Sequence, residues 1–164
     1  MSATRQRSST PATTALEHAG VPYTLHPYTH DSSAPSFGLE AARALGVVPA
    51  RVFKTLLAEI DDAFVVAVVP VSGSLDLKAL ARAASGKRAV MAATSRAERA
   101  TGYVVGGISP FGQRKKLPTV VDESVFDHET VYVSAGRRGL DLEITPSNLV
   151  RTTEAKTATI ARVS

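Results

Sequence analysis

The stretch Arg51-Val52-Phe53-Lys54-Thr55-Leu56-Leu57-Ala58-Glu59-Ile60-Asp61-Asp62-Ala63-Phe64-Val65-Val66-Ala67-Val68-Val69 decides how this chain folds. Two apolar runs flank an Asp-Asp break, which predicts a hairpin with strands over 51–60 and 63–69. The second run is apolar at every position, as expected of a strand covered on both faces. Within 52–57 the only charge is Lys54. Alternate residues of a strand share a face, so Lys54 points with Val52 and Leu56. An ammonium on an apolar face loses hydration unless an anion or a strong acceptor meets it. Lys54 is therefore the first candidate site residue. The plainer alternative is an edge-strand lysine with a buried stem and a head that snorkels to water.

Working outward, Thr10-Pro11 reads as a helix start, with Thr as N-cap and Pro at the first helical position. Ala12, Ala15, Leu16 and Ala19 form one face, and Gly20 is a stop. A strand follows over 21–26, broken by Pro27, then a loop over 30–35. Ser36 opens a second helix to Leu45, with Phe37, Ala41, Ala44 and Leu45 inward and Gly46 ending it. After the hairpin, Ser72-Gly73-Ser74 is loop. Leu77, Leu80, Ala81 and Ala84 then keep helical spacing up to Gly86. A short strand over 89–92 precedes a helix in which Ser95 and Glu98 form a capping box, ending near Gly102. Further strands fall at 119–121, 130–133 and 140–144, and Thr145-Pro146 starts a last helix. Strands and helices mix without a steady βαβ alternation. The fold class expected is α/β of the α+β type, a mixed, partly barrel-like sheet surrounded by helices. Residues 11–164 read as one domain behind a flexible tail over 1–10.

Composition narrows the function. With 164 residues, 44% hydrophobic and 21% charged, the chain suits one core-forming domain. No apolar run approaches the ~20 residues of a membrane span. The Ser/Thr-rich start, with Arg5 and Arg7, lacks the apolar centre of a secretory signal. The expectation is a cytoplasmic protein with no membrane partner. The absence of cysteine excludes disulfides, thiolate metal sites and a cysteine nucleophile. His26 and His30 have metal-like spacing, but an extended chain puts them roughly 13 Å apart, too far to share one zinc. Neither a metal nor a cofactor is expected. A net charge of +4 permits a polyanionic partner, with basic groups at Arg114-Lys115-Lys116 and Arg137-Arg138. Each group is usually a solvated face; the alternative is a grip on the end of a nucleic acid. Aromatics at 5% argue against a multi-base stacking platform.

The segment Gly106-Gly107-Ile108-Ser109-Pro110-Phe111-Gly112 packs three glycines and a proline into seven residues. Adjacent glycines let a ligand approach the main chain, and their N–H groups can converge on an anion or a carbonyl oxygen. No Gly-Lys-Ser/Thr ends the segment, so it is not a nucleotide-hydrolysing loop. A tight turn is the plain reading of this segment by itself.

In order along the chain stand Val52-Phe53-Lys54-Thr55-Leu56, Gly102-Tyr103, Gly106-Gly107-Ile108-Ser109-Pro110-Phe111-Gly112-Gln113, Leu117-Pro118-Thr119 and Gly139-Leu140-Asp141-Leu142-Glu143. This order resembles the YbaK/EbsC family of aminoacyl-tRNA deacylases, and in particular the branch that clears cysteine from proline tRNA. The resemblance runs over about 11–162. It implies a compact mixed sheet related to the editing domain of bacterial prolyl-tRNA synthetases. It places the essential lysine at Lys54 and the substrate loop at Gly106, Gly107, Ile108, Ser109 and Pro110. Tyr28 and Phe37 match pocket aromatics, and Asp141 matches a pocket-edge acid. The implied partners are the acceptor end of tRNA(Pro) and prolyl-tRNA synthetase. The implied mechanism is substrate-assisted: the cysteine thiol attacks its own ester carbonyl, so no enzyme nucleophile is needed. Lys54 then serves as a fixed cation or, with a depressed pKa, as a base; the first role is preferred, because a cation serves phosphate and oxyanion alike. Read from the residues alone, Phe37 is as readily a core residue, and Asp141 a solvated partner of Arg138. The same fold editing alanine-charged tRNA is the nearest rival, and a non-catalytic module binding tRNA or a synthetase is the rival from another class.

Overall fold

The computed structural model describes residues 9–31, 33 and 36–163. Most of the expected tail (1–8) and positions 32, 34 and 35 of the expected loop lie outside the described residues. In chain order the strands are β1 (Thr24–Pro27), β2 (Phe53–Ile60), β3 (Ala63–Pro70), β4 (Gly73–Leu75), β5 (Ala89–Met91), β6 (Thr119–Asp122), β7 (Val131–Arg137), β8 (Leu140–Ile144), β9 (Lys156–Ala158) and β10 (Ala161–Val163). The helices are α1 (Pro11–His18), α2 (Phe37–Leu45), α3 (Leu77–Ala83), α4 (Thr94–Thr101) and α5 (Pro146–Thr153).

The hairpin is the centre of the molecule. β2 and β3 pair antiparallel from Phe53 opposite Pro70 to Ile60 opposite Ala63. Asp61 and Asp62 take φ of 49° and 71°, the left-handed pair of a turn that matches strand twist. The Asp61 carboxylate accepts from the N–H groups of Lys87 and Arg88 and fixes that turn. Around the hairpin a five-stranded sheet runs β5-β2-β3-β6-β9, parallel at β3–β6 and β6–β9 and antiparallel elsewhere. A three-stranded antiparallel sheet runs β1-β8-β7, and β4 pairs with β10. One parallel bridge, Val52 to Tyr132, links the start of β2 to β7. The result is a set of separate sheets with mixed pairing, open rather than closed as a barrel.

Strand alternation distributes the cores. Phe53, Leu57, Val66 and Val68 face the main core, with Leu16, Val133, Leu142 and Leu149. Ala58, Ile60, Val65, Ala67 and Val69 face a second, beneath Ala79 and Leu80 of α3. Thus β3 is buried on both faces, as its unbroken apolar run requires. A third cluster joins Ala41 and Ala42 of α2 to Val52, Val71 and Tyr132. There α2 lies so close that a Cβ at Gly38 would stand 2.3 Å from a Val71 methyl.

Several local expectations differ. β1 starts at Thr24 and ends on Pro27, which an edge strand tolerates because its outer N–H has no partner to lose. Ala19 and Ala44 are exposed, whereas Thr13 and Ala42 are buried, because each short helix presents one narrow stripe to a sheet. Gly73 and Ser74 belong to a strand rather than a loop: Gly73 meets the Arg162 carbonyl where a Cβ would be 2.3 Å away. The capping box of α4 is absent; Ala93 is its N-cap, and the Glu98 carboxylate accepts from the Val105 N–H instead.

Thr10, placed at the edge of the expected tail, is buried. Its Oγ1 accepts from the Thr13 N–H and donates to the Ala135 carbonyl at 2.5 Å, tying α1 to β7. Thr10→Ala removes a cap and a buried bond together, and should cost about 1–2 kcal/mol. Urea unfolding should show this as a lower midpoint at unchanged slope.

Candidate active site

Between its bridge to β7 at Val52 and its pairing with β5 at Ala58, the outer edge of β2 has no strand neighbour among the described residues. A cavity of about 360 Å³ opens along that edge. Because it lies at an edge and not over one face, Phe53, Lys54, Thr55, Leu56 and Leu57 all line it. Leu57 turns its carbonyl outward to Ala92 N–H, 3.0 Å away. Backbone groups alternate along a strand, so Thr55 directs its N–H and C=O to the same side, toward the cavity.

Lys54 is half-buried and makes no ion pair among the described residues. Loss of hydration lowers its pKa. The same cavity is lined by Asp141 on β8, only 5% exposed. Burial pushes its carboxyl up to about 7, against a smaller opposing pull from His26. Tyr28 adds a phenol pushed up to about 12, chiefly by burial and then by the Asp141 charge. Asp141 is thus no solvated partner of Arg138, whose guanidinium bonds the Val105 carbonyl.

The structure brings Tyr28, Phe37, Lys54, Gly106, Ile108 and Asp141 to one cavity. The rest of the glycine segment has other work. Gly107 donates to the Val104 carbonyl at 2.8 Å and packs where a Cβ would stand 2.8 Å from the Arg137 backbone. Its N–H therefore does not point at a ligand. Ser109 is fully buried; its Oγ accepts from Phe111 N–H and its carbonyl accepts from the Gln113 side chain. Pro110 lines a second cavity of about 300 Å³, together with Lys115, Lys116 and Thr152. Arg114 donates to the Arg99 carbonyl, and Lys116 pairs with Glu154. Arg137 closes β7 beside Gly107. His26 and His30 bind Glu143 and Glu40, each at 2.9 Å. Among the described residues no three metal-ligating side chains converge.

Sequence reading missed Thr55 and Ser134, both at the cavity. The Thr55 Oγ1 is buried with no hydrogen-bond partner among the described residues. Strand alternation puts Thr55 on the face away from Lys54, so no periodicity could have grouped them; only the edge position of the cavity does. Among the described residues no histidine lines the cavity, so none of the hydroxyls described there has the imidazole base of a nucleophilic triad. What the cavity offers is a cation, a titratable acid, an outward main-chain N–H and apolar walls. That set can hold and polarise an activated carbonyl without attacking it.

Residues 34–152 match the family described as the aminoacyl-tRNA editing domain. A protein of Enterococcus faecalis named "Putative Cys-tRNA(Pro)/Cys-tRNA(Cys) deacylase EbsC" is 34% identical over 98% of this chain and 98% of its own length. The solved structure of hypothetical protein APE2540 superposes with a TM-score of 0.83 at 25% identity, covering 93% of this chain and 100% of that one. That of "a putative trans-editing enzyme for prolyl tRNA synthetase" does so with 0.83 at 24%, covering 94% and 98%. No helix among the described residues is long and apolar enough to cross a membrane.

Proposed function

This chain belongs to the aminoacyl-tRNA editing domain family, and from that premise we propose that it deacylates mischarged tRNA in trans, with Cys-tRNA(Pro) as its principal substrate. The observation that carries the reading is Lys54, an ammonium with no ion pair among the described residues, in a mostly apolar cavity that also holds a buried acid. An aminoacyl ester has a polar end for each: its carbonyl for the cation and the Thr55 N–H, its α-amino group for Asp141. Phe53, Leu57, Ala97 and Ile108 supply apolar walls for a small side chain.

The ester is already activated, so positioning and charge stabilisation suffice. The cysteine thiolate attacks its own carbonyl carbon, and a sulfur–carbon bond forms. The bond from that carbon to the ribose oxygen breaks, and the ribose hydroxyl takes the proton the thiol gave up. The products are uncharged tRNA and a cysteine thiolactone, which water then opens. Lys54 and the Thr55 N–H hold the oxyanion between these steps. The reaction takes place in the cytoplasm, beside prolyl-tRNA synthetase.

Single-turnover deacylation across a panel of charged tRNAs tests this. Cys-tRNA(Pro) should be cleared about 10²-fold faster than Ala-tRNA(Pro), because the intramolecular thiol provides the attack. Blocking the thiol by S-methylation should abolish the difference. A preference for Ala-tRNA(Pro) would replace the cysteine assignment. Binding of charged tRNA without turnover would make the chain a binding module.

A further inference from the structure

Arg138, in the turn between β7 and β8, ties together three parts of the cavity rim. Its guanidinium lies over the Phe37 ring, 4.4 Å from the centroid. Its Nε and Nη2 both donate to the Val105 carbonyl, at 2.9 and 2.5 Å. Gly106 makes room for this, since a Cβ there would stand 2.6 Å from the Phe37 ring and 2.9 Å from Arg138 Nε. Phe37, Val105 and Gly106 all line the cavity. An exposed arginine is thereby held in one place against two residues that line the cavity.

Those bonds use one side of the guanidinium. Nε–H and the neighbouring Nη2–H share a single oxygen, which leaves the end-on fork of Nη1–H and the second Nη2–H unspent. Arg138 makes no ion pair among the described residues, so no described carboxylate neutralises its charge. Lys116 differs, since Glu154 already answers it beside the other cavity. A pre-positioned, uncompensated fork matches a phosphate, whose paired oxygens accept two parallel N–H bonds.

We infer that Arg138 grips the 5′-phosphate of the terminal nucleotide whose aminoacyl end occupies the cavity, and so selects a nucleotide ester over a simple one. This rests on the deacylase reading above. The test uses two non-hydrolysable ligands, a 3′-aminoacylamino-3′-deoxyadenosine and its 5′-phosphate, titrated into wild type, Arg138→Met and Arg138→Lys. Wild type should bind the phosphorylated ligand about tenfold more tightly. Arg138→Met should bring that ratio close to one, with most of the loss on the phosphorylated ligand. Arg138→Lys should keep only part of it, because an ammonium cannot both cap Val105 and present a fork. Equal weakening of both ligands in Arg138→Met would mean that Arg138 only braces the rim, and would overturn the inference. So would a wild type indifferent to the phosphate. In either case deacylation of charged tRNA by wild type, measured in parallel, says separately whether the reading of the cavity stands.

Discussion

Lys54→Ala should lower single-turnover clearance of Cys-tRNA(Pro) by about 10²–10³-fold, the usual loss when a preorganised oxyanion donor is removed from a water-poor site. Folding should not suffer in proportion. The ammonium is desolvated and makes no ion pair among the described residues, which lowers its pKa in the folded chain. A depressed lysine pKa means that the charged form costs the native state stability at neutral pH. That cost is present in full below the folded pKa and is relieved as pH rises from the folded value to the unfolded one. Lys54→Met, which keeps the stem and removes the charge, should therefore match or exceed the wild-type melting temperature while being as inactive as Lys54→Ala. Lys54→Arg separates the two roles open to the residue. Arginine keeps a cation but cannot serve as a base near neutrality, so partial retention of rate identifies a clamp, and complete loss with binding intact identifies a base. A Lys54→Ala rate within roughly threefold of wild type would remove Lys54 from the chemistry.

The second large effect belongs to Asp141. Its folded pKa of about 7 lies above the unfolded value near 4. The native state thus binds more protons than the unfolded chain between those values, and stability falls as pH rises from about 4 to about 7. Above that window the full cost of the buried carboxylate is present, on the order of 2–4 kcal/mol. Asp141→Asn keeps the shape and deletes the ionisation. It should raise stability at pH 8 by a large part of that amount and leave it unchanged near pH 4. Urea midpoints measured every half pH unit would show the wild-type slope disappear in the variant. Parallel curves for the two proteins would mean that Asp141 ionises freely in the folded state. The gain should come with weaker binding of aminoacyl ligands, because the neutral amide no longer attracts an α-ammonium.

Local chemistry made much of the architecture legible. The Asp-Asp break gave the hairpin because two left-handed residues match strand twist, and the Thr-Pro pairs at 10–11 and 145–146 gave helix starts because each supplies an acceptor and a preset φ. What failed locally depended on a distant partner. β4 and β10 are strands because they meet each other, and Gly73 reads as a loop residue until Arg162 lies across it. Glu98 could cap its own helix, yet it serves Val105 instead.

The site divides along the same line. By itself the sequence determined that Lys54 is a charge in an apolar strand, and that the glycine segment needs an unusual backbone. It also placed Tyr28, Phe37 and Asp141 in a family's pocket through resemblance. Tertiary structure decided which of these meet. Gly106 and Ile108 reach the cavity, whereas Gly107, Ser109 and Pro110 brace the loop or face the other cavity. Thr55 and Ser134 joined the site although no local pattern marks them. The physical reason is that the cavity follows an unpaired strand edge. Which edge is left unpaired is settled by where β5 and β7 diverge from β2, and that divergence is set by contacts between residues far apart in the chain.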